Sequence, residues 1–213
     1  MKNSLAFLIL TLVIAPAAKA QQRNDVRPFR IKVKQSVLED LDQRLERTRW
    51  PDQIPNTGWQ YGIDLAYMKQ LVEHWRTKYD WRAEEKKLNA HAQFTTTLDG
   101  LEVHFVHVRS SHADATPLLL VHGWPGSFYE FQKMIPMLTE PEKHGGRSEE
   151  AFHVVVPSLP GFGFSESPKE PGWSQQRIAE LFAKLMARLK YDHYGAQGGD
   201  WGAGIVRWLA AND

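Results

Sequence analysis

The 213 residues are 42% hydrophobic, 24% charged and 11% aromatic, a composition that supports a buried core and excludes a disordered or fibrous chain. Lys and Arg number 26 against 25 Asp and Glu, so the chain lacks the basic footprint that nucleic acid or an anionic membrane surface requires. With no cysteine there can be no disulfide, thiolate metal site, cysteine nucleophile or cysteine-linked lipid anchor.

Residues 1–20 read as a secretory signal peptide: Lys2 precedes the apolar run Leu5 to Ala15, followed by Pro16 and the small-residue pattern Ala18-Lys19-Ala20. The run falls short of the roughly 20 apolar residues needed to span a bilayer, so no stable membrane span is expected. Cleavage near Ala20 would send the mature chain, with 24 basic and 25 acidic side chains, to the periplasm or the exterior.

Residues 21–90 form a punctuated helical region. Ser36 is a candidate N-cap for a helix carrying Val37, Leu38, Leu41 and Leu45 on one face and ending near Arg49, before Pro51. A second helix is predicted from Asp64 to about Tyr79, where Leu65, Met68, Leu71, Val72 and Trp75 recur at helical spacing. A Pro- and Gly-rich loop over 50–59 separates the two, and Trp50, Trp59, Trp75 and Trp81 are expected to be packing residues.

Near Ala92 the period changes. Ala92 to Thr97 and Leu101 to Val108 flank Asp99-Gly100, a hairpin signal that opens a sheet with two antiparallel strands. Short apolar strands follow at 117–121, 152–156 and 194–198, separated by helical patterns at Phe128 to Leu138 and Ser174 to Leu189. Such βαβ punctuation implies an α/β fold with a mostly parallel sheet over residues 91–213.

Ligands of such sheets sit at the carboxyl ends of the strands, and two sharp turns stand there. His122-Gly123-Trp124-Pro125-Gly126-Ser127 is a Gly-rich bend that can aim a backbone N–H into a pocket, although Gly-Pro turns more often only reverse the chain. Gly198-Gly199-Asp200-Trp201-Gly202 has small residues two before and two after Asp200, as a strained strand-to-helix elbow needs. A carboxylate is ionised at neutral pH and attacks carbon without a base to remove a proton first. As an alternative, Asp200 could serve only as a helix N-cap.

These turns, with Thr48-Arg49-Trp50-Pro51-Asp52, the segment 75–82, Leu88-Asn89 and Leu159-Pro160-Gly161-Phe162-Gly163-Phe164-Ser165, resemble the α/β-hydrolase-fold epoxide hydrolases of the microsomal type. The resemblance implies a helical N-terminal meander over 21–90 before the hydrolase core. It implies that Asp200 attacks an epoxide carbon to form an ester, which water cleaves to a vicinal diol. The backbone N–H groups of Trp124 and Trp201 would form the oxyanion hole, and Trp124, Pro125 and Trp201 would contact a small hydrophobic epoxide. It implies no metal or organic cofactor; the charge balance speaks against a nucleic-acid partner, and a homo-oligomer of the full-length protein stays open. Haloalkane and haloacid dehalogenases share the Asp-Trp-Gly elbow but lack the meander, and the haloalkane enzymes commonly place Asn where Trp124 stands. A non-catalytic structural or binding role is the other alternative.

In this fold the acid and the histidine follow the nucleophile, yet all nine histidines (74, 91, 104, 107, 112, 122, 144, 153 and 193) precede Asp200. The sequence is therefore expected to be the N-terminal part of such an enzyme, incomplete at the C-terminus and lacking the base, acid and cap tyrosines. By itself it should show no turnover.

Overall fold

The computed structural model describes residues 25–212, so the signal-peptide expectation for 1–20 lies outside the described residues. In chain order the elements are β1 (Arg27–Phe29), α1 (Gln35–Glu46), α2 (Leu65–Lys78), α3 (Trp81–Leu88), β2 (Gln93–Leu98), β3 (Leu101–Val108) and β4 (Thr116–Val121). A 3-10 turn (Phe128–Phe131), α4 (Met134–Thr139), β5 (Phe152–Pro157), α5 (Gln175–Arg188), β6 (Gly195–Gly198) and α6 (Trp201–Asn212) follow.

The six strands form one sheet in the order β1-β2-β3-β5-β4-β6. β1, β2, β3 and β5 pair antiparallel in succession, while β4 runs parallel to both β5 and β6. The predicted hairpin is present: Asp99 and Gly100 take φ values of +49° and +80° between the paired Leu98 and Leu101, the two left-handed residues that a type I′ turn demands. Strand alternation then splits the apolar side chains between two faces. Val103, Phe105, Leu119, Val121 and Val155 pack against Ile178, Leu181, Phe182 and Leu185 of α5 and Ile205 of α6. On the opposite face Val106, Leu120, Val154 and Val156 pack against Ile31, Leu88, Phe128 and Ile135. The result is an α/β-hydrolase fold with helices on both faces of the sheet, and α5 buries the stripe that its periodicity predicts.

Several local expectations are corrected. α1 starts after Lys34 without a side-chain cap, so Ser36 lies inside the helix. It also ends at Glu46 rather than near Arg49, where the Thr48 hydroxyl donates to the Leu45 carbonyl over 2.7 Å. The expected helix 128–138 is split. Pro136 has no N–H and its ring would meet the carbonyl four residues back, so the helix restarts at Met134 and holds the proline in its first turn. β1 and α3 are elements that the periodicity did not single out. β1 exists through its partner, Phe29 lying opposite Gln93, and α3 is capped by Asp80, whose carboxylate accepts from Ala83 N–H over 3.0 Å. Trp50 and Trp81 are half-buried, but Trp59 and Trp75 are 60% and 45% exposed, contrary to a packing role. No element of α1 or α2 is fully buried, so their apolar faces are only partly covered among the described residues.

Candidate active site

β4 and β6 lie side by side with Val121 opposite Gly198, so the loops leaving their carboxyl ends emerge together. The first is the turn 122–127, which includes a cis peptide before Pro125; the second is the elbow at Asp200. Asp200 has φ +52°, a left-handed conformation rarely adopted by a residue with a side chain, and it is held there by tight packing on either side. A Cβ at Gly198 would come within 2.5 Å of the Gly202 carbonyl, and one at Gly202 would come within 2.1 Å of the Val121 oxygen. Both glycines are therefore required for β6 and α6 to meet at this angle. A Cβ at Gly123 would stand 2.7 Å from the Asp200 Cβ, which is how closely the two turns approach.

The Trp124 N–H donates to Asp200 Oδ1 over 2.9 Å. This bond, and with it the N–H of Trp201, holds the Asp200 carboxyl below the usual carboxylate range. The residue is exposed at the carboxyl end of β6. The expected nucleophile and both expected oxyanion donors thus converge on one carboxylate. The rings of Trp124 and Trp201 are 64% and 46% exposed, which leaves them available to an incoming apolar molecule. Pro125 follows Trp124 on the same turn.

The histidines do not supply a base here. His122 is fully buried; its Nδ1 lies 3.0 Å from the Gly123 carbonyl and its Nε2 accepts from Leu159 N–H over 3.0 Å. It braces the turn, and burial pushes its pKa down. His104 is buried between Ser158 and Gln93, with its pKa lowered by burial to about 4. His107 bonds the Tyr191 hydroxyl at 2.9 Å, and is likewise lowered to about 4 by burial and by Arg109 and His153. Both lie along β3 rather than beside the elbow. Among the described residues no cluster of His, Cys, Asp and Glu could hold a metal ion. Cavities of about 670 and 390 Å³ lie in the helical region, away from Asp200.

Comparison with known proteins agrees with this geometry. Residues 26–131 match the family described as "Epoxide hydrolase N terminus", and residues 116–213 match "alpha/beta hydrolase fold". The chain belongs to the epoxide hydrolase family. A protein of Stigmatella aurantiaca named "Putative epoxide hydrolase" is 55% identical over 87% of this chain and 42% of its own length. Epoxide hydrolase 1 of Sus scrofa is 41% identical over 90% of this chain and 43% of its own. The crystal structure of juvenile hormone epoxide hydrolase from Bombyx mori superposes with a TM-score of 0.81 at 33% identity, covering 92% of this chain and 52% of that one. The chain thus spans about two fifths of the length of the curated relatives it matches.

Proposed function

We propose that the protein containing this chain hydrolyses epoxides to vicinal diols, with Asp200 as nucleophile. The observation that carries the reading is the exposed Asp200 carboxylate at an elbow, with Oδ1 accepting from the Trp124 N–H and the Trp201 N–H also bonded to the carboxylate. Oδ2 attacks the less hindered epoxide carbon, forming a C–O ester bond as the ring C–O bond breaks, and the ring oxygen takes a proton to become a hydroxyl. Water then adds to the ester carbonyl carbon. The negative charge develops on Oδ1, already 2.9 Å from a backbone donor, where a preorganised N–H lowers the barrier. Collapse releases the diol and restores the carboxylate. The proton donor to the ring and the base for water are assigned to polypeptide outside these residues, since the fold places acid and histidine after the nucleophile.

The exposed Trp124 and Trp201 rings with Pro125 favour a small hydrophobic epoxide. Residues 1–20 favour export with cleavage near Ala20, which N-terminal sequencing of the exported protein tests. The function is tested by treating the native protein with an aryl-substituted epoxide and following both diol release and the mass of the peptide bearing Asp200. A diol and a transient adduct on Asp200 are expected. A folded protein that gives neither, or releases halide from a haloalkane instead, overturns the reading.

A further inference from the structure

Polar groups of β3, of the loop that follows β5 and of the turn 122–127 form one continuous hydrogen-bonded series that ends on the nucleophile. The His104 N–H donates to Ser165 Oγ over 3.0 Å, and the Ser165 hydroxyl donates to the Ser158 carbonyl over 2.8 Å. That carbonyl shares its peptide group with the Leu159 N–H, which donates to His122 Nε2 over 3.0 Å. A backbone N–H can only donate, so Nε2 carries no proton; a carbonyl can only accept, so Nδ1 carries one and donates it to Gly123 O, 3.0 Å away. The tautomer of His122 is therefore fixed by its partners. The Gly123 carbonyl in turn shares a planar peptide group with the Trp124 N–H, which points at Asp200 Oδ1.

We propose that His122 and Ser165 are positioning residues of the oxyanion hole, acting on Asp200 through two intervening peptide groups. Each bond runs in the same sense, from donor to acceptor, toward the carboxylate. A peptide plane gripped at its oxygen cannot rotate its N–H away, and in a chain of like sense each bond polarises the next, so the Trp124 N–H is both aimed and strengthened. Short of Asp200 itself, the residues whose groups set the series are shielded: His122, His104 and Ser158 are fully buried, and Ser165 nearly so. Protonation of His122 would break the series, because an imidazolium cannot accept from Leu159. Burial, which disfavours the charged ring, keeps the series intact at neutral pH.

The test separates positioning from packing. Asn places its amide where Nδ1 stands and Gln places its amide where Nε2 stands, so His122→Asn keeps the donor to Gly123 while His122→Gln keeps only the partner for Leu159. In the native protein labelled with 15N-histidine and 13C-aspartate, imidazole nitrogen shifts are expected to show His122 protonated on Nδ1 alone. Carboxyl titration is expected to show Asp200 raised by about one pKa unit, tenfold in proton affinity, in His122→Gln and little moved in His122→Asn. Ser165→Ala shifts it in the same direction by less. A proton on Nε2 in the unsubstituted protein overturns the proposal, as does a folded His122→Gln variant with Asp200 unmoved. If neither His122 variant folds, the tautomer in the unsubstituted protein decides. For the ester hydrolysis step, which alone rests on the proposed function, His122→Gln is expected to slow turnover about a hundredfold and to lower KM with it, because the ester accumulates. These readouts fail separately: a protein that forms no ester refutes the function, whereas the tautomer and the Asp200 titration test the positioning with no substrate present.

Discussion

Asp200 holds a left-handed backbone because the glycines on either side let strand and helix close around it, and the three neighbouring glycines differ in what they tolerate. A methyl group on Gly202 would overlap the Val121 carbonyl at 2.1 Å, which only backbone movement could relieve, whereas one on Gly199 would meet nothing within 4 Å. Gly202→Ala is therefore expected to cost at least the roughly 1–3 kcal/mol typical of overpacking, and to lower the melting temperature by several degrees. Gly199→Ala should leave it within about a degree, by thermal unfolding under the same conditions. Equal effects at the two positions would mean that the elbow is not packed as described. At the centre of the turn, Asp200→Asn keeps an oxygen to accept from Trp124 but removes the anionic nucleophile. The variant should fold with an unchanged circular dichroism spectrum and gain no mass on epoxide treatment; an adduct at position 200 would place the chemistry elsewhere.

At the scale of elements, side chains of α3 and of Asn89 just after it pin the segment that follows β1. Asn89 accepts from the Ile31 N–H and donates to the Ile31 carbonyl, each over 2.9 Å, so its side chain acts as a short length of strand after β1. Glu85 accepts from the Val33 N–H over 2.7 Å, and Arg82 donates to the Val33 carbonyl over 2.9 Å. Ile31 is buried, so Asn89→Ala leaves two shielded backbone groups unpaired, costing about 1–3 kcal/mol and opening residues 25–34 to limited proteolysis ahead of the sheet. β3 carries a different liability, since burial lowers His104 and His107 from 6.5 to about 4. Above pH 6.5 both are neutral whether folded or not. As pH falls from 6.5 toward 4 only the unfolded chain gains these protons, so stability falls, for the fully buried His104 by on the order of 3 kcal/mol in all. Urea midpoints should fall between about pH 7 and about pH 5, and more shallowly in His107→Gln; a flat profile would contradict the burial of these rings. Much of this was legible in the sequence where local chemistry forces structure: Asp99-Gly100 forces the hairpin, and Gly198 and Gly202 around Asp200 force the elbow. What was not legible depends on residues distant in the chain. β1 is three residues containing a proline and exists only through its pairing with β2, and no spacing announces that His104 of β3 and Ser165, 61 positions apart, are hydrogen-bonded in the same series as His122.

For the molecule as a whole, the fold places two kinds of unsatisfied surface on the same chain. β6 lies at one end of the sheet order, bonded to β4 on one side, and its Gly-Ala-Gln-Gly sequence carries neither the charge nor the proline with which exposed edges are usually blunted. The helical region presents Trp59, Tyr61, Ile63, Tyr67, Leu71 and Trp75 to solvent, each 45% exposed or more. Rings of this size repay burial by on the order of 2 kcal/mol each, so several side by side form a surface that gains by association. Relatives more than twice as long have further polypeptide with which to meet such surfaces, whereas the described residues leave them exposed. Expressed by themselves, they are expected to elute as species larger than a monomer, to bind a hydrophobic-surface dye, and to shift toward monomer when Trp59 and Trp75 are changed to Ser. A monodisperse monomer with one cooperative unfolding transition would show that these surfaces are satisfied within the chain. The Ser variants make the result specific: if they remain associated, the β6 edge rather than the ring surface holds the copies together, and a Lys in place of Gln197 should then disperse them.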